Sequence, residues 1–242
     1  MKRVAAVMVA VIVGAGIAAA QAAPPTVDQI LEKYLQALGG KATYEKLTSR
    51  VSKGTFELSP QGLTGSLEIY SKAPDKSLLV VEFADLGRIQ QGFDGVVGWA
   101  DNPQAGIREM AGQELSVVKR GATFHQALHL RELFPKMTLK GQEKVGERNA
   151  YVIEADPGDG TLRRMYLDTE SGLMLRSVVE RDMAEGRASF ELLLEDYREV
   201  DGVKIPFLIR GKNPNADYVI KLTEVKHNVS IEDAKFAKPT VP

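Results

Sequence analysis

Residues 187–210, RASFELLLEDYREVDGVKIPFLIR, decide the fold because apolar and polar side chains alternate along them. One face of this stretch carries Ala188, Phe190, Leu192, Leu194, Val203, Ile205, Phe207 and Ile209. Asp201-Gly202 separates the two alternating runs and favours a tight turn. Because strands joined by so short a turn must be antiparallel, the stretch predicts a hairpin with one apolar face and one face in water.

The same period of two recurs from Val51 onward, interrupted by turn sequences such as Ala73-Pro74-Asp75-Lys76 and Asp94-Gly95. It predicts strands at 50–58, 65–72, 77–84, 87–93, 96–101, 137–145, 149–156, 161–168, 173–182, 187–199, 203–210 and 217–227. A sheet of eleven to thirteen antiparallel strands, with about 11 in the favoured fold, is too wide to stay flat. We therefore predict an α+β, mostly β fold, a strongly curved antiparallel half-barrel.

Three stretches of the sequence indicate helices. Thr26 and Gln29 form a capping-box pattern at the start of the first helix, and Gly39-Gly40 ends it. A second, short helix is expected at 42–47. Residues 112–134 lack alternation and predict one or two helices hinged near Gly121. We expect these helices on the concave side of the sheet.

The first 22 residues are typical of a secretory signal. Lys2 and Arg3 precede an apolar run over 4–20, and Ala20-Gln21-Ala22 provides a small-x-small cleavage pattern. We expect cleavage after residue 22, a periplasmic location, and a single domain over 23–242. The sequence contains no cysteine, which excludes disulfides, thiolate metal sites and a lipid anchor on cysteine.

The charge pattern disfavours nucleic acid as a partner. The chain has 31 basic and 32 acidic residues, interspersed and without a basic block. Binding to phosphate backbones needs a concentrated basic face. We expect a monomer without a cofactor.

The strongest candidate for chemistry is His125, His129 and Glu132, which a continuous helix would place on one face, as a metal site requires. The spacing differs from the H-E-x-x-H of metalloproteases, and a solvated helix face is the simpler interpretation. No G-x-S-x-G nucleophile motif occurs. The sequence therefore predicts neither a catalytic site nor a resident metal.

Five segments carry a family resemblance: TVDQILEKYLQALGG (26–40), GFDGVVGW (92–99), MTLKGQEKVGERNAYVIEA (137–155), YLDTESGLMLR (166–176) and EDYREVDGVKIPFLIR (195–210). In order and spacing they resemble a divergent branch of the LolA/LolB-like outer-membrane lipoprotein-sorting proteins. The resemblance implies a half-open barrel with a helical lid, acyl chains bound on the concave face, and an arginine that latches the lid. Arg88, Arg163, Arg164 and Arg176 lie in strand-like segments, and the sequence does not show which position, if any, corresponds to that arginine.

The apolar concave face is the predicted ligand site. Its candidate residues are Leu67, Ile69, Phe83, Phe93, Trp99, Met137, Met165, Phe190, Leu192, Phe207, Ile209 and Ile220. The favoured hypothesis is a non-enzymatic carrier or sensor that binds lipid or lipoprotein acyl chains, with a membrane or envelope protein as a possible further partner. A protein-interaction scaffold with a closed interior and an exported metal-dependent hydrolase are the alternatives.

Overall fold

A computed structural model describes residues 23–59 and 62–240, so the predicted signal peptide lies outside the described residues. One antiparallel sheet of 13 strands runs through the molecule. Its strands are β1 (Ser49–Ser59), β2 (Leu63–Lys72), β3 (Lys76–Phe83), β4 (Gly87–Phe93), β5 (Gly98–Asn102), β6 (Gly106–Glu109), β7 (Lys136–Val145), β8 (Arg148–Asp156), β9 (Leu162–Asp168), β10 (Met174–Met183), β11 (Gly186–Val200), β12 (Val203–Lys212) and β13 (Asp217–His227).

The strand order is β6-β5-β4-β3-β2-β1-β13-β12-β11-β10-β9-β8-β7. The first and last strands of the chain, β1 and β13, pair at the centre, and β6 and β7 are the two edges of an unclosed sheet. The predicted number of about 11 strands was too low. The strand missing from the predicted segments is β6, whose four residues are too few for alternation to be recognised.

The helices are α1 (Val27–Ala37), α2 (Lys41–Tyr44), α3 (Gly112–Ala122) and α4 (Leu130–Leu133). The capping box of α1 is present: the Thr26 hydroxyl accepts the Gln29 N–H at 3.2 Å, and the Thr26 N–H donates to the Gln29 side chain at 2.8 Å. Gly39 follows with φ +122°, and a Cβ there would lie 2.1 Å from the Gly202 carbonyl oxygen. Only glycine therefore lets α1 end against the β11–β12 turn.

The position of α3 shows that the sheet curves around it. This helix contacts β4 and β5 on one arm of the sheet and β10 on the other. Seven strand spacings separate β4 from β10, which in a flat sheet would place them about 34 Å apart. A single helix reaches both because the sheet bends toward it, so α3 lies on the concave side.

The expected helix positions need three corrections. The second helix is shorter than 42–47. The central segment breaks at Thr123 into α3, a 3-10 turn at Gln126–Leu128 and α4, because Thr123 leaves helical geometry with ψ 110°. A further 3-10 turn, Asp233–Phe236, packs on the convex face with Val51 and Leu78, so helical segments cover both faces.

Both faces of the sheet carry apolar clusters. The concave face holds one around Phe83, Phe207 and Leu222, and another in which α1 and α4 cover Ile153 and Met165. The convex face holds the cluster around Phe236 and a smaller one around Val152 and Val178. No helix within the described residues is long and apolar enough to span a membrane.

Candidate functional site

A hollow remains on the concave face beneath α3. It has two regions, of about 280 and about 430 Å³. Both are lined by Val117 of α3 and by Ser177, Val179 and Leu192 of the sheet, so they form one groove. Groove volumes of this order are typical of small-molecule sites. We call it the α3 groove.

The walls of the α3 groove are mainly apolar. Besides the shared residues they include the apolar Val118, Phe134, Phe190 and Tyr218, and the polar or charged Arg120, Gln126, Thr161, Arg163, Gln91, Glu114, Arg181 and Asn213. Alternation in β10 and β11 produces this surface, since Val179 pairs with Phe190 and Ser177 with Leu192 across the ladder. An apolar wall with a few polar groups is suited to a flexible apolar chain.

Arg120 at the end of α3 ties this helix to the sheet. Its guanidinium donates to Asp159 at 2.6 Å and to the Thr161 hydroxyl at 2.7 Å. Burial raises the pKa of Asp159, but the hydrogen bonds from Thr161 and Arg120 outweigh it and lower the pKa to about 2. At the other end of α3, the Gln113 side chain accepts the Asp182 N–H at 2.7 Å.

We call residues 112–134, which contain α3 and α4, the lid segment. A second arginine, Arg163 of β9, reaches this segment from the sheet. It donates to the Gln126 side-chain oxygen at 2.9 Å and to the Ser177 hydroxyl at 3.0 Å. Of the four strand arginines considered from the sequence, this one contacts the segment between α3 and α4. Arg164 instead pairs with Glu154 and Glu180, and Arg176 pairs with Glu191.

The predicted ligand residues separate into three groups. Phe190 and Leu192 line the α3 groove. Leu67, Ile69, Phe83, Phe207, Ile209, Ile220, Met137 and Met165 pack within the two concave-face clusters. Phe93 is buried and pairs with Gly98, where a Cβ would touch Leu115 of α3. Of the predicted ligand residues, only Phe190 and Leu192 therefore line the groove, and the others in these groups are packed in the protein interior.

The placement of Trp99 on the concave face was wrong. Trp99 belongs to the convex cluster, and its indole N–H donates to the Phe236 carbonyl oxygen at 2.9 Å. The indole lies over Gly92, where a Cβ would come within 2.4 Å of the ring. The five-residue strand β5 alternates too briefly to show which face is concave.

Sequence reasoning missed the lid contribution to the groove. Val117 and Val118 come from α3, and Val179 and Tyr218 come from predicted strands but are not among the predicted ligand residues. In the sequence around α3, the pair Val117 and Val118 indicates an apolar helix face. The contacts of Arg120 with Asp159 and of Arg163 with Gln126 join residues 39 and 37 positions apart and leave no local pattern.

The three residues of the candidate metal site do not converge. The break after α3 places His125 against the Leu47 carbonyl oxygen at 2.8 Å, whereas His129 pairs with Glu132 at 2.9 Å. Among residues 23–59 and 62–240, no group of three or more His, Cys, Asp or Glu side chains is arranged to hold a metal ion. The continuous helix that this site required is absent from the described part of the chain.

Comparison with solved structures shows that the fold is similar to that of a LolA superfamily protein and of two further proteins. A LolA superfamily protein from Nitrosomonas europaea has a TM-score of 0.59 at 14% identity, covering 89% of this chain and 99% of that chain. A DUF1329 family protein from Desulfovibrio piger has a TM-score of 0.58 at 16% identity, covering 87% and 97%. A domain assigned to outer-membrane lipoprotein sorting, from Vibrio parahaemolyticus, has a TM-score of 0.58 at 15% identity, covering 87% of this chain and 97% of that chain.

These similarities confirm the resemblance predicted from the sequence at the level of the fold. No protein-family model matches the sequence, and no match was found among curated proteins.

Proposed function

We propose that this protein binds the acyl chain of a lipid or lipoprotein in the α3 groove and acts as a carrier or sensor in the periplasm, without catalysing a reaction. The observation that carries the proposal is the apolar hollow between α3 and strands β10 and β11. Burying an acyl chain there contributes about 0.8 kcal/mol per methylene. A partly enclosed chain would therefore bind reversibly with useful affinity.

Two further observations support the proposal. The sequence begins with a segment typical of export, and one of the similar structures is assigned to outer-membrane lipoprotein sorting. The lid segment is held in place through hydrogen bonds of Arg120, Arg163 and Gln113, which would break when the lid opens. Such a lid would let a chain enter and leave.

The test is native mass spectrometry of protein purified from the periplasm, combined with uptake of a fluorescent fatty acid by delipidated protein. We expect co-purifying lipid and saturable uptake at one site. Complete absence of lipid together with no uptake would contradict the proposal. A protein partner that remains bound after delipidation would then favour the scaffold alternative.

A further inference from the structure

A small polar chamber opens from the α3 groove toward the centre of the sheet. It has a volume of about 170 Å³ and is lined by Tyr34, Tyr44, Arg50, Gln126 and Met174, among others. Gly121 and Gln126 line both the chamber and the groove, so the two cavities are adjacent. The chamber therefore lies where one end of a chain held in the groove would reach.

Arg50 enters this chamber from β1, the strand at the middle of the sheet. The neighbouring Val51 packs on the convex face, so Arg50 points to the concave side. Its Nε atom is buried and has no hydrogen-bond partner. Among the described residues, no acidic side chain forms an ion pair with Arg50, and Asp201 is instead hydrogen-bonded to His227, the register neighbour of Arg50.

Arg163 adds a second buried positive charge beside the chamber. Its guanidinium contacts Gln126 and lies 3.9 Å from the sulfur of Met174, two residues that line the chamber. Its hydrogen-bond partners, Gln126 and Ser177, are neutral. Burial lowers the pKa of Arg163, as expected for a cation without a carboxylate partner.

No acidic side chain lines the chamber or the adjoining 280 Å³ region of the groove in the part of the chain that the structure describes. Asp159, which contacts the lining residue Thr161, is bound by Arg120, and Glu114, which lines the 430 Å³ region, is bound by Arg108. Buried charges normally have a partner because desolvation is costly. Within the described residues, neither the guanidinium group of Arg50 nor that of Arg163 has a carboxylate partner.

Two phenol side chains complete the chamber. Burial, followed by the neighbouring Tyr44, raises the pKa of Tyr34, so its hydroxyl keeps its proton and can donate a hydrogen bond. Guanidinium and phenol donors together suit an oxyanion, because a guanidinium matches the geometry of carboxylate and phosphate. A neutral or cationic head group would leave both arginines uncompensated.

We propose that this chamber binds the anionic head group, a carboxylate or a phosphate, of the amphiphile whose acyl chain occupies the α3 groove. The inference rests on the proposed function and specifies its ligand class. The head group meets Arg50 and Arg163 at the closed end, and the chain extends beneath α3 between Val117, Val179 and Leu192.

The test compares delipidated wild-type protein with Arg50→Gln by calorimetric titration at pH 8. The probes are palmitic acid, 1-palmitoyl lysophosphatidic acid and the neutral 1-monopalmitoylglycerol. Wild type should bind at least one anionic probe roughly tenfold or more tightly than monopalmitoylglycerol. Arg50→Gln should weaken anionic binding by roughly 10- to 100-fold and leave the neutral probe unchanged, as for loss of hydrogen bonds to a charged group. The preferred anion identifies the source of the head group.

Arg88→Gln, on an exposed part of β4, is the matched control and should bind like wild type. Because Arg50 has no acidic partner, ligand-free Arg50→Gln should unfold at a Tm no lower than wild type. If Arg50→Gln does not fold, the head-group assignment is tested by whether the wild-type protein binds the anionic probes more tightly than the neutral probe. Equal affinity for all three probes would overturn the head-group assignment alone, and no binding of any probe would overturn the proposed function as well.

Discussion

Filling the α3 groove tests where the acyl chain binds. Val179 lines both regions of the groove, and Val179→Phe adds four carbon atoms that point into the hollow. A ring there would displace about three methylenes of the ligand, each contributing about 0.8 kcal/mol, or about 2.4 kcal/mol in all. That corresponds to roughly 50-fold weaker binding. Because the ring enters an existing hollow, the Tm should not fall.

The assay is displacement of a fluorescent C16 fatty acid, with Tm measured on the same samples. Val96→Phe is the matched control, because Val96 is 81% exposed and outside the groove residues. It should leave both the affinity and the Tm unchanged. If Val179→Phe binds the fatty acid within threefold of wild type while remaining folded, the chain does not lie beneath α3.

The remaining predictions concern the lid, the convex face and the histidines. Asp159→Asn should lower the opening free energy of α3 by about 1–2 kcal/mol, because it weakens the hydrogen bond with Arg120. Faster hydrogen exchange of the α3 amides would show this. Unchanged protection would contradict a role of the Arg120–Asp159 pair in holding α3. In wild type the same protection should be complete above about pH 4, near the ordinary Asp pKa, and decline toward pH 2, because the folded-state pKa of Asp159 is lowered to about 2. Trp99→Phe should lower the free energy of unfolding by about 1–3 kcal/mol, because the hydrogen bond from the indole to the Phe236 carbonyl oxygen is lost. The affinity for a fatty acid should not change. Weaker binding would mean that Trp99 influences the groove. His129→Ala should change neither stability nor metal content, and loss of a stoichiometric metal would revive the hydrolase alternative.

Side-chain alternation was sufficient to predict most of the sheet. The turn at Asp201-Gly202 joins β11 and β12 with Val200 opposite Val203, as the two-residue loop between alternating runs predicts. Alternation also predicted that Phe190 and Leu192 lie on the same face of the sheet, and both line the groove. It could not show which face of a short strand is concave, because that depends on the register with neighbouring strands, and Trp99 was misplaced for this reason.

The groove itself was less predictable than its walls. Most of the predicted apolar residues fill the clusters, and the hollow arises from where α3 crosses the sheet, which no local pattern specifies. The polar chamber depends on Arg50, which in the sequence is one charged residue at the start of a strand. Its importance becomes visible only when Tyr34 and Gln126, from distant parts of the chain, are placed around it.

The central claim is that an acyl chain lies between α3 and the concave face, and isotope-filtered NMR tests it most directly. With uniformly ¹³C-labelled palmitate and methyl-labelled protein, we predict NOEs from the chain to methyl groups of Val117, Val179 and Leu192. Val178 lies next to Val179 but packs on the convex face, and its methyl groups should show none. NOEs to Val178 without NOEs to Val179, or NOEs to neither in a protein that binds palmitate, would contradict the account.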